Sequence, residues 1–330
     1  MKFKFLFPFL ALTIVACTSH SDMDKLIDDN LQLAIQQYKY MSALLPPDRL
    51  PVTYTDSTLK TSGTGWWCSG FYPGSLWYLY EYSNDEALKT EAIRSTGLLE
   101  KEQYNTSTHD LGFMLFCSYG NGYRLTQNPA YKDIILTGSE SLCSRYRPAT
   151  GCIRSWNFGS WQFPVIIDNM MNLEMLMWAG RVSGNNKYHD IAVSHADKTI
   201  ENHPHLPADK IPYWDYDAPD IPEAKRDVSS ATIMASALIE LSQYTKGEQS
   251  KNYLNTAQTI LKNLSTPVYR AEAGTNGGFI LKHSVGALPF NSEVDVPLTY
   301  ADYYFIEALM RLRNLNFNRE IILSWNAGIF

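Results

Sequence analysis

A two-beat pattern recurs four times along this chain and restricts its possible folds more than any other feature. Each unit pairs a helix that is apolar nearly all round with a short turn rich in Gly, Asn or Lys. A second helix follows, with apolar residues only at three- and four-residue spacing. WWCSGFYPGSLWYLYEYS leads through Asn84-Asp85 to EALKTEAIRSTGLLEKEQ, and HDLGFMLFCSYGNGYRLT leads through QNP to AYKDIILTGSESLCSRY. DNMMNLEMLMWAGRVSG is followed by NNKYHDIAVSHADKTIENH, and ATIMASALIELSQYTKG by the helix around YLNTAQTILKNL. An earlier amphipathic helix carries Leu26, Leu31, Ala34, Ile35, Tyr38, Met41 and Leu45 on one face, and Pro46-Pro47 ends it, with a loop to follow.

Repeated helical hairpins with almost no strand-type alternation, apart from pieces such as GGFILKH, predict an all-α protein. An inner ring of apolar helices wrapped by an outer ring of amphipathic ones is an α/α toroid, whose inner helices open by their N-termini onto one cavity. A superhelical solenoid of the same hairpins satisfies the pattern as well. About ten helices can be counted, which makes five hairpins, one short of the closed ring. The shortage falls near ADKTIENHPHLPADKIPYWD, where an outer helix runs into a Pro-rich loop.

Eight Trp and twenty-one Tyr exceed the needs of an ordinary core, and rings in that number suit a carbohydrate cleft as well as a helical interior. A net charge of −6 offers nucleic acid and anionic membrane surfaces no attraction. Residues 1–17 read as a bacterial lipoprotein signal, with Lys2 and Lys4 before an apolar run and Ile14-Val15-Ala16-Cys17 placing the lipidated cysteine. The expectation is therefore a periplasm-facing protein of the cell envelope that touches the membrane only through its lipid. Residues 18–313 form the helical domain and 314–330 a divergent tail. Cys68, Cys117, Cys143 and Cys152 lack metal-ligand spacing, and pairing of Cys143 with Cys152 stays open.

Two aspartates, Asp110 in THDLGF and Asp168 in VIIDNMMN, begin inner helices one repeat apart, so in a ring they face the same cavity. Aspartate is also a favoured helix N-cap, and either residue alone reads equally well as a cap. As a pair among aromatics they fit glycoside chemistry. Val165-Ile166-Ile167 before Asp168 predicts a desolvated, proton-donating carboxyl, while Asp110 beside His109 is expected to stay ionised. TNGGF with Lys282 reads as a tight turn at the cavity rim. IPYWDYDAPDIP reads as a capping loop and not a metal site, because Asp215, Asp217 and Asp220 lack the glycine and terminal glutamate of a calcium loop.

WWCSGFYPGSLW, THDLGFM, WNFGSWQFPVIIDNMMNLEMLMWA, HPHLPADKIPYWDYDAPDIPEAKRDVSSATIMASALIEL and TNGGFILKHSVGALPFNSEVDVPLTYADYYFIEALMR together resemble the unsaturated glucuronyl hydrolases of glycoside hydrolase family 88. The resemblance runs from about Asp24 to Arg313, with about one helical hairpin absent before His203-Pro204. It implies an α6/α6 barrel, here with five hairpins, acting without cofactor or metal. The implied substrate is an oligosaccharide ending in a 4,5-unsaturated uronic acid, as lyases leave on glycosaminoglycans. Asp168 would protonate the vinyl ether and activate water, Asp110 would assist at the ring hydroxyls, and Trp67, His109, Trp156, Trp214 and Lys282 would shape the sugar site. A shortened, non-enzymatic relative and an unsaturated rhamnogalacturonyl hydrolase are the alternatives.

Overall fold

The computed structural model describes residues 22–159, 162–166, 168–199, 207, 209–215, 218–244 and 246–316. Cys17 and its signal, the junction at 200–206 and the tail beyond 316 lie outside the described residues. Among the described residues no helix is long and apolar enough to cross a membrane.

Helix α1 (Asp22–Leu44) leads into a small hairpin, β1 (Leu50–Thr55) and β2 (Thr58–Ser62), where the sequence predicts only a loop. Its two-residue turn, Asp56-Ser57, holds positive φ at both positions, the geometry that matches strand twist in tight hairpins. The hairpins of the ring follow. Helices α2 (Phe71–Ser83) and α3 (Glu86–Gly97) form the first. In the second, a π-helix (Gly112–Gly120) runs on into α4 (Asn121–Thr126) and turns back as α5 (Pro129–Cys143). After a short β3 (Tyr146–Arg147) and β4 (Cys152–Ile153) come α6 (Asn169–Ser183) with α7 (Asn186–Thr199), then α8 (Val228–Tyr244) with α9 (Gly247–Leu264). A last hairpin, β5 (Ser284–Ala287) and β6 (Ser292–Val296), precedes α10 (Thr299–Asn316).

Helices α2, the π-helix, α6, α8 and α10 form the inner layer, and each of the first four is backed by the outer helix that follows it. Helix α2 is buried from Phe71 to Leu79, as a helix apolar on every side must be. Outer helices keep polar faces and caps: the Asp85 carboxylate accepts the Ala87 N–H at 2.9 Å, and Asn128 caps α5 ahead of Pro129. Helix α1 lies against α10 and α2 and completes the outer layer. Among the described residues no extensive packing joins α6 to α8, so the ring of five hairpins is loose on the side where the sequence runs short.

Two glycines set the spacing of the inner helices. A Cβ on Gly70 would lie 2.1 Å from the Phe113 carbonyl oxygen, and one on Gly112 would lie 2.6 Å from Asn172 Cα. Three helices therefore meet backbone to backbone. Cys68, Cys117, Cys143 and Cys152 are all buried thiols. Deep in the fold, Asp302 accepts the Ile280 and Leu281 N–H groups at 2.8 and 3.0 Å, and burial still pushes its carboxyl up to about 8. That pair of bonds ties the loop before β5 to α10, and Gln37 ties the same loop to α1 through the Phe279 carbonyl at 2.9 Å.

Candidate active site

A cleft of about 1090 Å³ opens at the N-terminal ends of the π-helix and α6. Its floor is set by His109, Asp110 and Asp168, and its walls include Trp66, Trp67, Trp156, Phe158, Phe290 and Glu293. The repeat-related placement of Asp110 and Asp168 brings both to one histidine. His109 Nε2 lies 3.1 Å from Asp168 Oδ1 and 3.2 Å from Asp110 Oδ1, while Nδ1 lies 2.7 Å from the Ser155 carbonyl oxygen.

The Ser155 contact fixes the tautomer, because a carbonyl only accepts and Nδ1 must carry its proton. Nε2 then faces two carboxylates. If all three groups were deprotonated on that side, a lone pair would point at two anionic oxygens, so the trio holds one further proton, on Nε2 or on a carboxyl. Burial disfavours charge on the His109 ring, yet the Asp168 hydrogen bond, the Asp110 and Asp168 charges and the Ser155 carbonyl leave its pKa raised above the ordinary 6.5. The bond from Nε2 goes to Asp168. Asp110 Oδ1 is close but wrongly angled, and it is left buried without a hydrogen bond. Burial raises the Asp110 carboxyl, against the opposing pull of His109 and of Thr108, whose hydroxyl binds its other oxygen.

Burial thus falls the other way round from the sequence expectation. Asp110 keeps 9% of its side chain exposed and Asp168 keeps 28%. Val165 and Ile166 explain the difference, since they line the cleft and stand open to it without covering Asp168. Asp168 makes no side-chain cap to α6 although it occupies the N-cap position. Its Oδ2 has no hydrogen-bond partner among the described residues, so one oxygen is fixed by His109 and the other is open to a ligand.

Supporting residues hold this geometry, and sequence reasoning does not single them out. Asn172, inside α6, accepts the Phe113 N–H at 2.9 Å through Oδ1, a first-turn donor that has no partner within its own helix. That bond pins the helix carrying Asp168 to the helix carrying Asp110. Ser155 receives Asn169 Nδ2 on its hydroxyl at 2.9 Å, and Arg145 donates to the Ser155 carbonyl at 3.1 Å. The sequence signal for Asn172 is weak, since α6 carries other polar residues, among them Asn169 and Glu174.

Trp67 lines the cleft and packs on Tyr300 and Phe113, with ring centroids at 4.8 and 5.7 Å. Trp156 stands 6.5 Å from the His109 ring and stacks on Phe158 at 5.6 Å. Trp214 and Lys282 are not brought to this cleft. Lys282 donates to the Pro267 carbonyl at 2.8 Å, because the bridge between Arg270 and Leu281 turns the chain that way. Trp214 sits half-buried in the 209–215 segment, its backbone N–H bound to the Lys225 carbonyl at 3.0 Å. The ligand atoms of His109, Asp110 and Asp168 lie within 4.8 Å of one another and could accept a small cation. The shared proton competes for the same atoms.

Inner-helix carboxylates on a histidine, in an aromatic cleft of an α/α toroid, define a glycoside hydrolase. No family model matches the sequence. An unsaturated glucuronyl hydrolase of Formosa agariphila is 36% identical, over 76% of this chain and 80% of the relative. An unsaturated chondroitin disaccharide hydrolase of Streptococcus pneumoniae is 24% identical, over 74% of this chain and 81% of that protein. A crystal structure of an unsaturated glucuronyl hydrolase specific for heparin superposes with a TM-score of 0.84 at 36% identity, covering 89% of this chain and 98% of that one. The chain belongs to the unsaturated glucuronyl hydrolase family.

Proposed function

We propose that this protein removes a 4,5-unsaturated glucuronyl residue from the non-reducing end of lyase-generated glycosaminoglycan oligosaccharides. The observation that carries the proposal is His109 Nε2 set between two carboxylates, with Asp168 alone holding an oxygen open to the cleft. Family membership supports the substrate class. Asp168, supplied with a proton across the 3.1 Å contact from His109, gives it to C4 of the C4=C5 double bond. Positive charge then develops at C5 and is shared with the ring oxygen. Water adds at C5, and its proton returns to the Asp168 carboxylate. The product is a hemiketal, which opens and expels the rest of the oligosaccharide from C1, so the net addition is one water. Asp110, on the floor of the cleft beside His109, accepts a ring hydroxyl and holds the sugar. Because water adds to a double bond, the spacing of the carboxylates does not decide between retention and inversion. Purified protein is expected to abolish the ultraviolet absorbance of the double bond in an unsaturated glucuronyl disaccharide; absorbance that persists at high enzyme concentration would sink the proposal.

The shared proton predicts the pH profile. His109 and Asp110 both have raised pKa values, so the folded state favours the proton-bound trio. That contribution is complete below the unfolded-state values and is lost as pH rises through the folded ones. In the wild type kcat/KM should fall on the alkaline side through an apparent pKa that belongs to the trio. His109→Asn should shift that limb to lower pH and lower kcat by about 10²-fold. An unshifted limb would show that His109 does not store the proton.

The same proposal includes a lipid anchor at Cys17 and a periplasm-facing location, supported by Ile14-Val15-Ala16-Cys17 after an apolar run. Cys17→Ser should move the protein from the membrane to the soluble fraction, and unchanged membrane association would refute the anchor.

A further inference from the structure

Just beyond α5, Arg145 is 5% exposed, and its guanidinium joins the end of that helix to the two segments that carry His109 and Ser155. Nη1 donates to the Thr106 carbonyl at 2.6 Å, on the loop that leads into His109 and Asp110. Nε donates to the Arg154 carbonyl at 2.8 Å, and Nη2 to the Ser155 carbonyl at 3.1 Å and to Asn157 Oδ1 at 3.3 Å. Each of these acceptors is neutral. Among the described residues no carboxylate comes within ion-pair distance of this side chain, and Asp110 acts on it only from further away.

Burying a cation without a counter-ion is costly, and an arginine that only stapled the fold would lose nothing by meeting a carboxylate. The arrangement suits another task, the control of carbonyl direction. Successive carbonyls of an extended chain point to opposite sides, so the neighbours Arg154 and Ser155 can converge on one guanidinium only where the chain turns, just after β4. A planar fork of donors holds such a turn. The Ser155 oxygen it fixes is the one that receives His109 Nδ1–H at 2.7 Å. The consequence is chemical. With Nδ1 protonated, a further proton on Nε2 makes the ring an imidazolium, and passing that proton to Asp168 leaves a neutral ring. With Nδ1 bare, the Nε2 proton is the last on the ring, and its loss would leave an imidazolate. The direction of one carbonyl therefore decides whether His109 can resupply Asp168.

We propose that Arg145 is a positioning residue for the reaction, holding the Ser155 carbonyl on His109 Nδ1 so that the proton on Nε2 stays transferable. The proposal rests on the hydrolase reading for the use made of that proton, whereas the clamp itself is readable without substrate. In the full chain, Arg145→Gln, which keeps a donor and loses the fork, should lower kcat about 10²-fold while KM changes less than about twofold. By proton NMR the wild type should show a downfield, slowly exchanging Nδ1–H resonance from His109, identified by its absence in His109→Asn. Arg145→Gln should lose that resonance. Arg145→Lys should behave in the same way, because one ammonium cannot face three carbonyls, and it carries the test if the glutamine variant does not fold. A wild type without the resonance, a resonance that persists in the folded variants, or a kcat that falls only as far as the unfolded fraction would overturn the proposal. Loss of the resonance in the variants, beside a wild type that turns over no unsaturated disaccharide, would sink the hydrolase reading and leave the clamp standing.

Discussion

Replacing Asp168 with asparagine should lower kcat on an unsaturated glucuronyl disaccharide by about 10³-fold or more, the upper part of the range for general acid–base groups. The amide keeps the size of the side chain and can still accept from His109 Nε2, so the loss would come from the missing proton donor and not from a collapsed site. Asp168 is partly exposed and makes no cap to α6, which leaves little stability at stake. The melting temperature of Asp168→Asn should therefore stay close to that of the wild type. A fall in activity that tracks unfolding would contradict the assignment. Asp110→Asn should cost less in kcat and more in KM, because Asp110 holds a ring hydroxyl and does not deliver the proton.

Gly112→Ala should be among the most damaging single substitutions, through both stability and activity. Its methyl would sit 2.6 Å from Asn172 Cα and 2.7 Å from the Asn172 oxygen, with helix backbone on both sides and no flexible tip to yield. Overpacking of this kind costs about 1 to 3 kcal/mol. Pushing Asn172 away also breaks the bond to the Phe113 N–H, which adds about 1 kcal/mol. Asp110 and Asp168 ride on the two helices that would part. A displacement of about 1 Å between reacting groups can reduce turnover about 10²-fold, so kcat should fall in the molecules that remain folded. Gly97 provides the comparison. An alanine Cβ there meets nothing within 4 Å, and Gly97→Ala should leave stability unchanged or raise it. Equal melting temperatures and activities for the two variants would refute the close-approach account.

The helical hairpins are readable because each helix announces itself locally, by three- and four-residue spacing or by an uninterrupted apolar run such as Phe71 to Leu79. The β1–β2 hairpin is not, since its turn is Asp56-Ser57 and not the Asn-Gly or Asp-Gly that signals one, and its strands alternate only weakly. Asp110 and Asp168 can be located from repeat register alone. Their relative burial cannot, because Val165 and Ile166 look from sequence like a cover for Asp168 and turn out to be cleft wall. A glycine turn places Lys282 at the rim, whereas a tertiary contact to the Pro267 carbonyl decides where its amine goes. Glu293 escapes notice, because SEVDV reads as an ordinary solvent-facing alternation, and neither its left-handed backbone nor its seat over Gly286 has a sequence signature. Asn172 is similar, since the Phe113 N–H that it accepts is a first-turn donor of another helix, and only the fold brings the two together.

The central claim, that Asp168 protonates a carbon of the double bond and not the glycosidic oxygen, is tested most directly by an unsaturated disaccharide with sulfur in place of that oxygen. Sulfur is a poor proton acceptor for acid-assisted departure, but it leaves the C4=C5 bond untouched. Addition of water at C5 predicts that the double-bond absorbance disappears at a rate comparable to that of the oxygen-linked substrate, and that Asp168→Asn abolishes both. A thio-linked substrate that binds but keeps its double bond, beside an oxygen-linked one that is cleaved, would contradict it.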